Sequence, residues 1–402
     1  MIRYLALLIV VSVCPVAFAE AGDFPACIDA LKIRAREAGL NDTVINDVLA
    51  KVNFNPRVIE LDRRQPELTD TFHDYLNKRV TAQRVEQGRN LMARHGAFLD
   101  ELTAKYGIPP QYLIALWGLE TNYGAYTGNT SVLDSLATLA CDERRSEFFT
   151  LELFEALWLV QNDVIGQAQM QGSWAGAMGN MQFMPSTYRQ HAIDADGDGR
   201  ADMWNSLHDT FTSVARFLDA LGWERGYRWG REVKLPKNFP YARASSSNWQ
   251  PLSAWRDLGV TTTAGKPLPD SSLSAAILLP SGRHGPAFAV YHNYTVIMRW
   301  NQSQFYALAA GHLADRISGG GKLAVQPPDY PPLRKELVMA LQTRLNELGF
   351  DAGKVDGVLG PLTRAAIQAY QDANGLIADG YPDGETLASI GVGAGAVEVT
   401  AQ

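Results

Sequence analysis

One carboxylate has unusual surroundings. Glu120 lies in Pro109-Pro110-Gln111-Tyr112-Leu113-Ile114-Ala115-Leu116-Trp117-Gly118-Leu119-Glu120-Thr121-Asn122-Tyr123-Gly124, where nearly every other side chain is apolar. Leu113, Leu116, Trp117 and Glu120 fall at i, i+3, i+4 and i+7, so one helix face carries three large apolar groups and one acid. Apolar surroundings and the negative end of a helix dipole both disfavour the anion. Such a carboxyl is expected to stay protonated near neutral pH and to donate a proton to a leaving oxygen. The alternative is a buried Glu paired with an arginine that only holds the fold.

Two further stretches carry chemistry. Asp194-Ala-Asp196-Gly-Asp198-Gly199-Arg200 alternates carboxylates and places a turn glycine, Gly199, at the sixth position, like the first half of a calcium loop. Its second half departs from that pattern, with Asn205 at the twelfth place and Asp209 as the nearest later carboxylate. All-oxygen ligands favour calcium over a transition metal; the alternative is a solvated acidic turn. Residues 173–188 fit no periodic element. Gly176 and Gly179 loosen the backbone, and Gln182 sits between Met181, Phe183 and Met184, as in a binding wall. A glycine packing contact between helices is the plainer reading.

These residues need elements to hold them. Pro109 and Pro110 suit a helix start, and Gly124 a left-handed stop, around the Glu120 segment. Residues 24–51 read as helices, with Cys27, Leu31, Ile33, Ala35 and Ala38 on one side, Gly39 as a stop and Asn41-Asp42 as a cap. Residues 66–106 continue helically, 146–171 read as one long helix, and 209–222 are helical again. From 230 to 300 the texture shifts to short alternating runs, an inserted subdomain of strands and loops. Ser318-Gly-Gly-Gly321 and the prolines at 327, 328, 331 and 332 read as a linker, flexible first and stiff after. Residues 334–391 form a separate small helical domain with tight turns at Asp356-Gly357 and Asp379-Gly380.

The bulk numbers set limits. The 402 residues allow two to three domains, and 46% hydrophobic content gives a sizeable core. A net charge of -7 argues against a nucleic-acid binder. The N-terminus has the form of a secretion signal: Arg3, an apolar run from Leu5 to Val13, and a cleavage site at Ala17-Phe18-Ala19. Val13 before Cys14 lacks the small residue expected of a lipid-attachment signal, so a lipid anchor is not expected. After cleavage Cys27 and Cys141 remain, either as one disulfide or as two buried thiols.

Together Gly118-Leu-Glu120-Thr121-Asn-Tyr-Gly124, Arg144-Arg145, Ser173-Trp-Ala-Gly-Ala-Met-Gly and Gln182-Phe-Met-Pro-Ser resemble the membrane-bound lytic transglycosylase B family over residues 24–314. The C-terminal stretch is similar to a three-helix, family-1-type peptidoglycan-binding module through Leu341-Gln342, Leu345, Gly349, Asp356-Gly357, Gly360, Thr363, Ile367, Gln371, Gly375 and Asp379-Gly380. The resemblance implies a mainly α fold: a lysozyme-like α domain with a small inserted α/β subdomain, then the small binding domain. It divides the chain into a signal peptide (1–19), a transglycosylase domain (20–314), a linker (315–333) and a peptidoglycan-binding domain (334–395).

The resemblance also implies the chemistry. Glu120 matches the single catalytic acid of an enzyme that cleaves the MurNAc–GlcNAc β-1,4 bond without water. It protonates the glycosidic oxygen, then as the anion takes the proton of the MurNAc 6-hydroxyl, which closes a 1,6-anhydro ring. The intramolecular nucleophile replaces the second carboxylate of ordinary glycosidases, and the substrate's N-acetyl group would support the developing charge. Ser173 and Gln182 match sugar-binding cleft residues, and Tyr75 a tyrosine lining the cleft. Phe217 stands where some members have a tyrosine. Arg144 and Arg145 match a basic pair for stem-peptide carboxylates, or else form a salt bridge within the fold. Asn293 and Tyr294 are further candidates for sugar contact. Asp194, Asp196, Asp198, the Arg200 carbonyl and Asp209 match the family's calcium loop, with one extra residue before Asp209. No cofactor beyond a structural calcium is implied. The partners implied are glycan strands and stem peptides, with wall-synthesis proteins as candidates, in a monomeric periplasmic protein. A hydrolysing muramidase and an inactive wall-binding scaffold are the competing readings.

Overall fold

The computed structural model describes residues 23–63 and 70–392; the expected signal segment, with Cys14, lies outside them. The described chain is mainly helical with a small sheet. It forms two compact units: residues up to 62 with 128–177 and 184–189, and residues 63–127 with 178–183 and 190 onward.

In the first unit the helix Phe24–Glu37 buries Phe24, Ile28, Leu31 and Ala35. Ile33, expected beside them, is 59% exposed, because position 33 points away from the face that 28, 31 and 35 share. Gly39 turns left-handed, and the Asn41 side chain accepts the Val44 N–H at 2.9 Å to start Asp42–Asp47. Val132–Ala140 packs along Ser146–Gln161. The latter ends ten residues before the 171 expected from sequence, since Asp163 takes a left-handed φ of 55° and breaks the helix. Cys27 and Cys141 are disulfide-bonded, with Cα atoms 5.9 Å apart, which decides between the two readings of that pair.

The second unit is built on the helix Pro110–Thr121, whose start at Pro110 follows the sequence reading. Gln304–Ile317, Ala82–Arg94 and Gly96–Tyr106 pack around it. Its end differs from expectation. The chain turns left-handed at Asn122 (φ 50°), and Tyr123 (61°) and Gly124 (82°) continue the turn. Tyr123 swings back against the helix, where Gly118 and Gly88 make room: a Cβ at either would stand 2.8 Å from its ring or 2.6 Å from its hydroxyl. That hydroxyl donates to the Arg84 carbonyl at 2.6 Å, so the strained turn is held by two helices, Ala82–Arg94 and Pro110–Thr121.

The inserted subdomain is a five-stranded antiparallel sheet. Its strands run in the order Gln250–Pro251, Ser274–Leu278, Ala287–Val290, Gly230–Lys234, Thr261–Thr262, with Ile277 opposite Ala289 and Glu232 opposite Phe288. Trp255, Val260, Ala275, Ile277 and Tyr291 form its core.

Past the glycine run the linker is docked at residues 324–327. Both oxygens of Glu232 accept backbone N–H groups, from Val325 at 2.8 Å and Ala324 at 2.7 Å, and His73 Nδ1 meets the Pro327 carbonyl at 2.9 Å.

The C-terminal domain has three helices, Lys335–Glu347, Pro361–Ala373 and Gly384–Ile390, around Leu341, Leu345, Ile367, Tyr370 and Ile390. It contains a repeat. Gln342 and Gln371, both buried, each donate through Nε2 to an aspartate (Asp356 at 3.0 Å, Asp379 at 3.3 Å) and to a threonine (Thr363 at 3.1 Å, Thr386 at 2.9 Å). Each Oε1 accepts the glycine N–H of the Asp-Gly turn, from Gly357 and Gly380, at 2.8 Å. The second turn docks on the sheet subdomain: Asp379 Oδ2 accepts the Arg283 N–H at 2.8 Å, and the Arg283 guanidinium pairs with Asp383 at 3.0 Å. Gly282 is required there, because a Cβ would stand 2.7 Å from Tyr381.

Candidate active site

Glu120 is in the last turn of its helix and is partly buried. Two donors converge on its Oε1: the Tyr306 hydroxyl at 2.5 Å and the Trp300 indole N–H at 2.8 Å. The helix His292–Trp300 ends on one donor, and Gln304–Ile317, capped by Ser303 through the Tyr306 N–H at 3.2 Å, begins on the other. The short break between them therefore aims two polar-tipped aromatics at one oxygen. Burial, and then the charge of Glu120, push the Tyr306 phenol well above its ordinary pKa, so it stays a neutral donor.

Tyr75 is 1% exposed, lies beside Phe305 with ring centroids 5.9 Å apart, and is felt electrostatically by Tyr306. It belongs to the packed wall behind the acid. Phe217 meets Trp300 at 5.4 Å and Phe183 at 5.5 Å, and Phe183 meets Trp300 at 5.7 Å. The two phenylalanine rings hold the indole in place.

Gln182 follows from the loop geometry. It adopts a φ of 50°, and its Nε2 donates to the Thr127 carbonyl at 3.1 Å and the Gly179 carbonyl at 2.9 Å. Two carbonyl partners fix the amide orientation, and Oε1 has no partner among the described residues. Asn180, which the sequence reading passed over, fastens this loop. Its Oδ1 accepts the Trp117 indole N–H at 3.1 Å, its carbonyl accepts the Thr121 hydroxyl at 2.8 Å, and its Nδ2 donates to Met203 and Trp204 carbonyls at 3.1 and 2.7 Å.

Ser173 belongs to the first unit, where its Oγ accepts the Ala177 N–H at 3.1 Å and the Ala175 N–H at 3.3 Å. Its hydroxyl proton is the group left for an outside acceptor.

Three expected contacts are corrected. Arg144 and Arg145 both pair with Asp62, Arg144 Nε at 3.0 Å, and Asp62 is 1% exposed, which is the pairing of the salt-bridge reading. Asn293 is fully buried, and its amide is spent on the backbone of Glu224 and Tyr227 at 2.8 to 2.9 Å. Tyr294 is 4% exposed. A helix start carrying Asn and Tyr looks open in sequence; here the loop 221–230 folds over it.

Asp194, Asp196 and Asp209 bring carboxylate oxygens within 4.8 Å of one another. Asp209 is fully buried, and its Oδ1 accepts the Ala195 N–H while Oδ2 accepts the Asp202 N–H, both at 2.8 Å. Asp198 is outside this group and accepts the Arg200 N–H at 2.9 Å instead.

The second unit thus carries an acid that meets two aromatic donors, and a docked three-helix domain follows it in the chain. Residues 23–315 match the transglycosylase SLT domain, and residues 334–390 match a putative peptidoglycan binding domain. The chain belongs to the SLT transglycosylase family. It is 31% identical over 250 residues to membrane-bound lytic murein transglycosylase B of Escherichia coli (strain K12), a match covering 61% of this chain and about two thirds (66%) of that protein. SltB3 of Pseudomonas aeruginosa, solved in complex with NAG-anhNAM-pentapeptide, is 42% identical with a TM-score of 0.85 and covers 91% of this chain and 99% of its own. Escherichia coli Slt35, solved in complex with calcium, is 27% identical with a TM-score of 0.61, over 73% of this chain and 92% of its own.

Proposed function

We propose that this chain is a lytic transglycosylase that cleaves the MurNAc–GlcNAc β-1,4 bond of peptidoglycan and leaves 1,6-anhydro-MurNAc ends. The observation that carries the reading is Glu120 itself, an acid on an apolar helix with Tyr306 and Trp300 both donating to one of its oxygens. Glu120 gives its proton to the glycosidic oxygen as the bond to C1 breaks. The Tyr306 and Trp300 donors stabilise the carboxylate so formed. That carboxylate then takes the proton of the 6-hydroxyl as its oxygen attacks C1, which returns Glu120 to its starting state. Gln182 Oε1 accepts a hydrogen bond from a sugar hydroxyl; Ser173, in the other unit, is a separate candidate donor to the glycan strand. The bound NAG-anhNAM-pentapeptide of SltB3 supports both the product and a role for peptide.

Residues 20–314 carry the cleavage, 315–333 connect, and 334–395 bind the wall, in a protein acting outside the cytoplasm after loss of residues 1–19. The Cys27–Cys141 disulfide supports an oxidising compartment. A calcium ion fits the hard oxygens of Asp194, Asp196 and Asp209, with the Arg200 carbonyl as a further ligand. Bound there, it would tie the acidic loop to the helix Leu207–Ala220. Mass spectrometry of digested sacculi tests the reading. Products lighter by one water than the reducing-end muropeptides are expected; reducing ends alone would make the enzyme a hydrolysing muramidase.

A further inference from the structure

The repeat in the C-terminal domain allows an internal comparison at the level of single atoms. Asp356 and Asp379 each receive two hydrogen bonds on Oδ1: from Gln342 and the Val358 N–H (2.9 Å) in the first turn, and from Gln371 and the Tyr381 N–H (3.0 Å) in the second. In both turns a threonine follows seven residues on, and an isoleucine buried in the core follows four after that, Ile367 and Ile390. The two turns differ at Oδ2. In Asp379 this oxygen is filled by the chain's own segment: the Arg283 N–H at 2.8 Å, with the Arg283 guanidinium 3.8 Å away. In Asp356 the same oxygen has no partner among the described residues, and the side chain is exposed where Asp379 is 6% exposed.

We propose that the Asp356-Gly357-Val358 turn is the peptide-reading site of this domain, and that its ligand is a peptide segment offering a backbone N–H beside a cationic amine. The second turn shows what such a turn holds. Its occupant, Gly282-Arg283, supplies one amide N–H and one positive charge. The domain thus uses one copy of the motif to dock on its own protein and presents the other to solvent. The inference rests on the proposed function for its ligand, the stem peptide of the wall polymer. The first turn lacks one element of the second: Gly360 stands where Asp383 pairs with the guanidinium. The first site therefore holds a cation with one carboxylate rather than two, and binds more weakly than the permanent dock. Weak, reversible capture suits an enzyme that must release its polymer.

Asp356→Asn tests this on the full chain. Asn keeps an oxygen for Gln342 and the Val358 N–H and replaces only the outward acceptor with a donor. Stem peptides freed from their glycan by an amidase are titrated against wild type and variant, with peptide-free glycan strands in parallel. The expected result is a loss of about tenfold in affinity for the peptides, the size of one charged hydrogen bond. Peptide-induced shifts of the Gly357 and Val358 amide resonances in the wild type are also expected, with glycan binding unchanged. Equal peptide affinity in both proteins, or shifts confined to glycan titrations, would overturn the proposal while anhydro-product release continued. Failure of the wild type both to bind sacculi and to release anhydro products would remove the proposed function, and this inference with it.

Discussion

Glu120 and Glu152 occupy nearly the same sequence context and meet different partners. Glu120 follows Leu113, Leu116 and Trp117 on one helix face; Glu152 sits among Phe149, Leu153 and Ala156 on another. By spacing alone, either could be the acid kept neutral by apolar neighbours. Glu152 is 5% exposed, and Ser186 occupies both of its oxygens, through its hydroxyl to Oε1 at 2.7 Å and its N–H to Oε2 at 3.0 Å. Burial raises its pKa, and the Ser186 bonds act against that rise. Glu120 remains partly open, with its aromatic donors gathered on Oε1. The contrast teaches that an apolar setting marks an acid as unusual but not as functional. What meets the carboxylate differs between the two: a serine hydroxyl and N–H at Glu152, a phenol and an indole N–H at Glu120.

The largest effect that bears on this contrast comes from Glu120→Gln. It should lower anhydro-product release about a thousandfold with the melting curve unchanged; wild-type rates would give Glu120 the same status as Glu152. Of similar size is the effect of the disulfide in the unit that carries Glu152. Replacing Cys27 and Cys141 by Ala frees a loop spanning 114 residues and should cost about 4 to 5 kcal/mol by denaturant unfolding. Tyr306→Phe keeps the ring and removes one donor from Glu120. A fall of about ten- to a hundredfold in kcat is expected, the size of one donor at a charged oxygen. Losing a bond to the carboxylate disfavours the anion, so the alkaline limb of the pH–rate profile should move upward. An unmoved profile would reduce Tyr306 to packing.

The smallest effect concerns Glu152→Gln, which should leave activity intact and cost about 1 to 2 kcal/mol through the mismatched Ser186 contact. Because the folded pKa of Glu152 is raised, its contribution to stability is fully present below its ordinary value of 4.5 and is lost as pH rises through the folded value. The glutamine variant should lack that part of the decline when unfolding is measured across this range.

Much of the architecture could be read locally. The Pro110 start, the Asn41 cap, the inserted sheet and the three C-terminal helices all follow from spacing and capping residues close in the chain. The partners of the site could not. Trp300 and Tyr306 reach Glu120 from 180 and 186 residues away, and their only sequence trace is a Ser303-capped break flanked by polar-tipped aromatics. Asp62, which claims Arg144 and Arg145, lies 83 residues from Arg145. Asn293 failed as a candidate for the same reason, because the backbone that uses it arrives from a loop 66 to 69 residues earlier. Patterning reports which face a side chain occupies, and remains silent on which distant group meets it there.

The fastening of residues 324–327 by Glu232 and His73 has a mechanical consequence. A loose tether lets its cargo sample a cloud of positions, so a second contact forms at many spacings with a likelihood set by chain statistics. A moored domain samples one offset. Its second contact costs no loop closure, but tolerates little mismatch. A polymer gripped at both places must present its two features at the separation set by this body, which makes the protein a gauge of its substrate as well as a holder of it.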